Sequence, residues 1–219
     1  VLNASTRVLE LALETPATEM AEDLDRVKAA MVQESEATKA MAGFVATHVT
    51  AMAADPRGGA ATAIRATVWS SVEDAEAASL AMDTGTPGGN PLKSRSYFRL
   101  LRETTLTEGQ AGHVEAVVFR TKPGVTREAN VELFDKGEPE YVELGKGEGG
   151  LLAHSLWIAP DGRWVHLLYW RSEADYVKTG KALFAKPGVG GWIRSLDFKR
   201  FVVYRGDVAT AAPEAAPAK

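Results

Sequence analysis

Apolar and polar residues alternate from Arg7 to Glu14 (RVLELALE), the period of a half-buried strand. After Pro16 and Thr18 the period lengthens. Met20, Leu24, Val27 and Met31 recur at helical spacing, and Glu19, Glu22 and Asp23 suit the positive N-terminal end of a helix. This helix is predicted to run to about Met41 and to stop at Gly43. Phe44 to Ala53 and Ala61 to Trp69 read as strands on either side of the turn Asp55 to Gly59. Ser70 or Ser71 is placed to cap a helix over 72–82, with Glu73 or Asp74 closing a capping box. A loop at Gly85 to Gly89 and a strand from Ser96 to Thr105 complete a β-α-β-β-α-β unit.

The order then repeats. Strands are predicted over His113 to Thr121, Leu151 to Ala159, Arg163 to Trp170 and Lys199 to Arg205. A helix begins near Thr126, and Gly137 and Pro139 predict its division into two short pieces. Ser172 caps a second helix reaching about Phe184, and Gly188 to Gly191 matches the earlier glycine loop. The junction is written twice, as AIRATVWSSVEDAEA from Ala63 and WVHLLYWRSEADYV from Trp164: strand, terminal Trp, Ser, acidic helix start. Recurrence of the whole order with this junction in register indicates tandem duplication. Each unit makes a four-stranded antiparallel sheet with two helices on one face, and the other face must be covered. The expected fold is therefore α+β: two ferredoxin-like lobes, 1–108 and 109–206, packed sheet to sheet as an α+β barrel. The Ala/Pro-rich tail, 207–219, is expected to be disordered.

A net charge of −4 and the lack of a Lys/Arg cluster argue against a nucleic-acid partner. Zero Cys removes thiol nucleophiles and thiolate metal sites. No apolar run approaches the roughly 20 residues of a membrane helix, so the expected setting is cytoplasmic, away from membranes.

The chain resembles the dimeric α+β barrel superfamily, especially its antibiotic-biosynthesis-monooxygenase branch. The most specific stretch is APDGRWVHLLYWRSEADY, where Asp161, Gly162, Trp170 and Ser172 fit the family hairpin. The family's Asn four residues before the Trp is His166 here and Arg65 in the first lobe; its His four before the Asp is Trp157. The resemblance implies a pocket between sheet and helices, a small aromatic ligand, and cofactor-independent oxygenation. It also implies either a monomer that is a fused pseudo-dimer or a homodimer. Haem-degrading relatives carry an iron-ligating His on the second helix, and 72–82 and 173–184 contain none. Neither haem nor another cofactor is therefore expected.

A two-residue Asp161-Gly162 turn would set Trp157 opposite His166 and His154 opposite Tyr169. Trp157, Trp164, His166 and Trp170 would then share the pocket face, with His154 on the other. His166 is the candidate general base on a phenol or enol, and Trp157, Trp164, Trp170 and Trp192 are candidate ring contacts. In the first lobe, Arg65 and Trp69 occupy the equivalent face. Arg65 can bind an anionic ligand or pair with a carboxylate of the covering helix. Each of these residues also has a purely structural reading, as a satisfied core His or as packed Trp. Separation of His154 from His166, and the lack of other paired ligands, speaks against a metal. His113 is expected to be solvated. His48 is read as the counterpart of His154. Three functions fit this pattern: a cofactor-independent monooxygenase, a non-oxidative cyclase or isomerase, and a non-catalytic binder, including a haem binder.

Overall fold

The computed structural model describes residues 7–16, 21–52, 60–83, 93–145 and 149–209. Thr18, the turn at 55–59, the loop at 85–89 and the tail from 210 lie outside the described residues. The elements are β1 (Val8–Glu14), α1 (Ala21–Thr38), β2 (Phe44–Met52), β3 (Thr62–Trp69), α2 (Val72–Asp83), β4 (Lys93–Thr105), β5 (His113–Phe119), α3 (Arg127–Gly145), β6 (Leu151–Ile158), β7 (Trp164–Trp170), α4 (Glu173–Phe184), α5 (Pro187–Ile193) and β8 (Val202–Asp207), with a 3-10 turn at Phe198–Arg200 before β8.

The class is α+β, with two β-α-β-β-α-β halves as the periodicity predicts. The eight strands follow the order β2-β3-β1-β4-β6-β7-β5-β8. Read half by half this is 2-3-1-4 and 6-7-5-8, the same ferredoxin-like arrangement twice, meeting where β4 pairs antiparallel with β6. By contacts the chain falls into two compact units. One contains residues 1–9 and 97–207; the other contains 10–96 and 208–219. Asp207, placed by the sequence at the head of a disordered tail, ends β8 instead, and Ala209 N donates to Val49 O.

The junction is a duplicated joint. Trp69 and Trp170 are fully buried at the ends of their strands. Ser71 accepts from Asp74 N at 3.1 Å, and Ser172 accepts from Asp175 N at 3.2 Å. Each satisfies one N–H that a helix start leaves open. A glycine completes each joint. Gly43 and Gly150 both have φ of +74°, and a Cβ on either would collide with Asp74 or Asp175. Their carbonyls accept from Ser70 N at 2.7 Å and Arg171 N at 2.8 Å. These positions require glycine for both conformation and space.

Two local expectations are corrected. First, α3 runs unbroken through Gly137 and Pro139. A proline inside a helix costs about 3 kcal/mol. Burial of Asn130, Phe134 and Tyr141 along one face of α3 opposes that cost. Gly137 serves a different purpose. It faces Gly188 of α5, where an added Cβ would meet Gly137 Cα at 3.1 Å, so the two helices cross with backbone near backbone. The predicted Gly188–Gly191 loop is thus the helix α5. Its N–H groups at Gly188 and Val189 donate to Glu140 at 2.9 and 2.8 Å.

Second, the β6–β7 hairpin has a three-residue loop. Ala159 N donates to Arg163 O at 2.8 Å, and Gly162, at φ +79°, donates to Ala159 O at 3.0 Å. The positive φ at the third loop position is the geometry that Asp-Gly supplies when the loop is one residue longer than the tightest turn. The register therefore shifts by one: Leu156 faces His166, Trp157 faces Val165, and His154 faces Leu168. A one-residue slip moves every β6 side chain to the opposite face.

Candidate functional site

The shifted register rebuilds the predicted site. The helix-covered face of the second half carries His154, Leu156, Trp164, His166, Leu168 and Trp170. Trp157 lies on the other face with Val165 and Leu167, and its Nε1 donates to Ser155 Oγ at 2.7 Å. His154, expected to be separated from His166, is its neighbour: Nδ1 of His154 and Nε2 of His166 are 3.2 Å apart.

Four rings enclose His166, with centroids at 5.3 Å (Phe134), 5.4 Å (Tyr141), 5.4 Å (His154) and 5.3 Å (Trp192). Tyr141 stacks on His154 at 4.6 Å. Trp164 stacks on Phe119, and Trp192 meets Phe119 edge-on. Trp192 is held by its Nε1 donating to Asn130 Oδ1 at 3.1 Å. Trp164, Trp170 and Trp192 thus share the His166 side, and Trp157 does not. His166 is only 2% exposed. Burial, reinforced by His154, holds its pKa well below the ordinary imidazole value, so it is neutral at pH 7.

Behind the pair lies Glu138, on α3, with Oε1 3.3 Å from His154 Nε2. This is ion-pair distance without the alignment of a hydrogen bond, and both atoms are buried with no other partner. Burial alone would raise the Glu138 pKa. Contacts with His154 and Thr104 and the Arg102 charge outweigh it and hold the carboxylate ionised. Ionised Glu138 favours a proton on His154 Nε2. The contact between the two rings is one hydrogen bond, its donor set by their tautomers.

Sequence reasoning missed Phe134, Glu138 and Tyr141. They stand at i, i+4 and i+7, one helix face, but the expected break at Gly137 dissolved that pattern. It also missed Glu115, 7% exposed on β5, whose carboxyl burial pushes up to about 7 against the opposing pull of Arg205. His113 is not solvated: it is 2% exposed, its Nδ1 lies 3.0 Å from Asp207 Oδ1, and it stacks on Tyr176. His48 is not the counterpart of His154. It pairs with Ala66, whereas Thr47 pairs with Thr67, so Thr47 holds the equivalent place.

In the other unit Arg65 is fully buried. Nη1 donates to Glu34 of α1 at 2.8 Å, and Nη2 to Glu10 of β1 at 3.1 Å. Trp69 Nε1 donates to the same Glu10 at 3.0 Å. Arg65 thus pairs with a helix carboxylate, one of the two roles open to it. Among the described residues, no group of three or more His, Cys, Asp or Glu side chains is arranged to hold a metal ion. No helix there is long and apolar enough to cross a membrane.

No protein-family model matches the chain, and no curated protein matches it. Solved structures do. A candidate monooxygenase from Fusobacterium nucleatum superposes with a TM-score of 0.61 at 12% identity, covering 95% of this chain and 94% of that one. Chlorite dismutase from Candidatus Nitrospira defluvii, in a point-mutant form, gives 0.57 at 12% identity over 96% and 94%. A ferredoxin-fold protein from Listeria monocytogenes, related to antibiotic biosynthesis monooxygenases, gives 0.52 at 9% identity over 94% and 96%. At such identities the likeness speaks for architecture alone, and it spans almost every residue: the chain has the dimeric α+β barrel fold shared by monooxygenase-like and chlorite-dismutase proteins, with both halves in one polypeptide.

Proposed function

We propose that the chain is a cofactor-independent oxygenase of a flat phenolic or polycyclic compound, with its working site in the second half. The observation that carries this reading is the His166–His154–Glu138 chain, 3.2 and 3.3 Å per step, set among aromatic rings. Aromatic rings with a few convergent polar groups suit a planar, partly hydroxylated ligand. His166 Nδ1 takes the acidic proton of the ligand. The positive charge that develops is shared through His154 towards Glu138, whose side chain is 27% exposed and can exchange protons with water. The electron-rich anion then reacts with O₂. One oxygen atom enters the carbon skeleton and the other leaves as water together with two substrate hydrogens. Trp164 and Trp192 hold the ring plane.

The same proton chain also favours a second reading, a cyclase or isomerase using His166 without oxygen. Oxygen uptake with anthrone as substrate separates the two. Uptake that depends on the protein, lost in His166→Ala, supports the oxygenase. Product formed equally under argon supports the second reading. Neither uptake nor anaerobic product across a panel of hydroxylated polycycles would sink both.

A further inference from the structure

The two halves place a buried glutamate at the same position of their first strand: Glu10, third in VLELALE, and Glu115, third in HVEAVVF. In the first half the position is saturated. Glu10 accepts from Trp69 Nε1 and from Arg65 Nη2 at 3.0 and 3.1 Å, and Arg95 Nε lies 3.4 Å away. In the second half the Arg65 position is His166, which turns to His154. Trp170, the counterpart of Trp69, is fully buried and its Nε1 has no partner. Nε2 of buried His113, on the same face of β5, has none either. Glu115 faces Arg205 across the β5–β8 pair, but Arg205 also donates to the Tyr176 hydroxyl. After burial, the Glu115 charge is the next cause raising the pKa of both Tyr141 and Tyr176.

A buried polar atom without a partner is rare, and it calls for one. Trp170 and His113 form a cross-strand pair at the end of this face away from His166. Glu115 pairs across to Leu168, two residues along β7 from His166, or about 7 Å at the rise of a strand. A ligand anchored at His166 and two rings long would bring its far end there.

Building on the proposed function, we propose that Glu115, with the Trp170 indole N–H beside it, is a specificity-determining anchor that binds a hydroxyl group at the end of the ligand remote from His166. A hydroxyl fits because it both accepts from Trp170 and shares a proton with the carboxyl. A ligand with an apolar end would leave these groups buried and unsatisfied, and such sites reject the analogue lacking the group.

Calorimetric titration of the full chain with 2-naphthol and with 2,6-dihydroxynaphthalene tests this. The diol is expected to bind about tenfold more tightly than the mono-ol. Glu115→Val should bring the two within about twofold, and Glu115→Gln should keep most of the preference. Glu115→Met replaces the Val variant if that chain fails to fold. An equal affinity in the native chain, or an unchanged preference in the folded Val or Met variant, overturns the role of Glu115. His166→Ala in the same titration judges the underlying site separately. Loss of 2-naphthol affinity supports the His166 reading, and no loss removes it while the diol ratio still decides on Glu115. Failure of both compounds to bind the native chain removes both.

Discussion

Arg65 and His166 stand at the same point of their halves, each four residues before the terminal strand Trp and each fully enclosed on the helix-covered face. Arg65 is neutralised by Glu34 and Glu10. His166 is uncharged and bonded to a second histidine. The exchange of a fixed cation for a neutral titratable ring changes everything around it. The strand glutamate has no arginine at that point of β7, and the indole has no acceptor. One half is arranged as a closed ionic core; the other holds a buried histidine pair.

Arg65→Met should show the first half to be structural. Removing one member of a buried charge network leaves Glu10 enclosed without its arginine partner, at a cost of about 3–5 kcal/mol. Urea denaturation should register that loss, while ligand binding at folded concentrations stays as in the native chain. A folded Arg65→Met that has lost ligand affinity would contradict the assignment of the site to the second half.

The register makes a prediction that reverses the one from sequence. Trp157→Phe should leave ligand affinity within about twofold, because that side chain lies on the face away from His166. Trp192→Phe should weaken binding by about tenfold or more, because the indole packs on His166 and is fixed by Asn130. Calorimetry with 2-naphthol compares them. An effect of Trp157 equal to that of Trp192 would contradict the three-residue loop.

Glu115 sets a pH dependence of known sign. The folded chain holds its proton up to about 7, while an unfolded chain releases it near 4.5. The stabilising contribution is complete below pH 4.5 and is lost as pH rises through about 7. His48 and His166, both depressed by burial, act in the opposite sense and lose stability as pH falls below 6.5. Comparing Glu115→Gln with the native chain cancels the histidines. The variant should gain on the native chain between pH 4.5 and 7, reaching at most about 3 kcal/mol by about pH 8. A constant difference across that range would count against a protonated Glu115.

Gly188→Ala tests how the helices support the site. The new methyl would press on Lys136 O, 2.8 Å away, and on Gly137. Overpacking of this kind costs about 1–3 kcal/mol. It should also lower turnover by displacing α5, and with it Trp192, without altering any group that touches the ligand. Native turnover in a destabilised variant would mean that α5 does not position the ring.

Much of the fold was legible because its signals are local and repeated. Strand alternation, the Trp-Ser junction and the acidic helix starts need no distant partner to be read. The site was less legible because it hangs on two things the local pattern misjudges. Pro139 argues for a break in α3, yet tertiary burial of Phe134 and Tyr141 keeps the helix whole and brings Glu138 to His154. Asp-Gly argues for the tightest turn, yet the hydrogen bond from Ala159 to Arg163 adds one residue to the loop. His166 was found because its echo in the first half is a different residue. Glu115 was not, because its echo is the same residue and only the surroundings differ.

The Pro160-Asp161-Gly162 loop lies at the surface, far along the strands from the buried histidines, yet its length decides whether they meet. Shortening it by one residue would turn His154 away and bring Trp157 into the ring cage, with no core side chain substituted. Insertions and deletions in such turns are among the best tolerated changes a chain can undergo. A buried histidine pair on this scaffold can therefore be acquired or dissolved by a change of count rather than of composition. Surveys that compare core residues column by column would not see it happen.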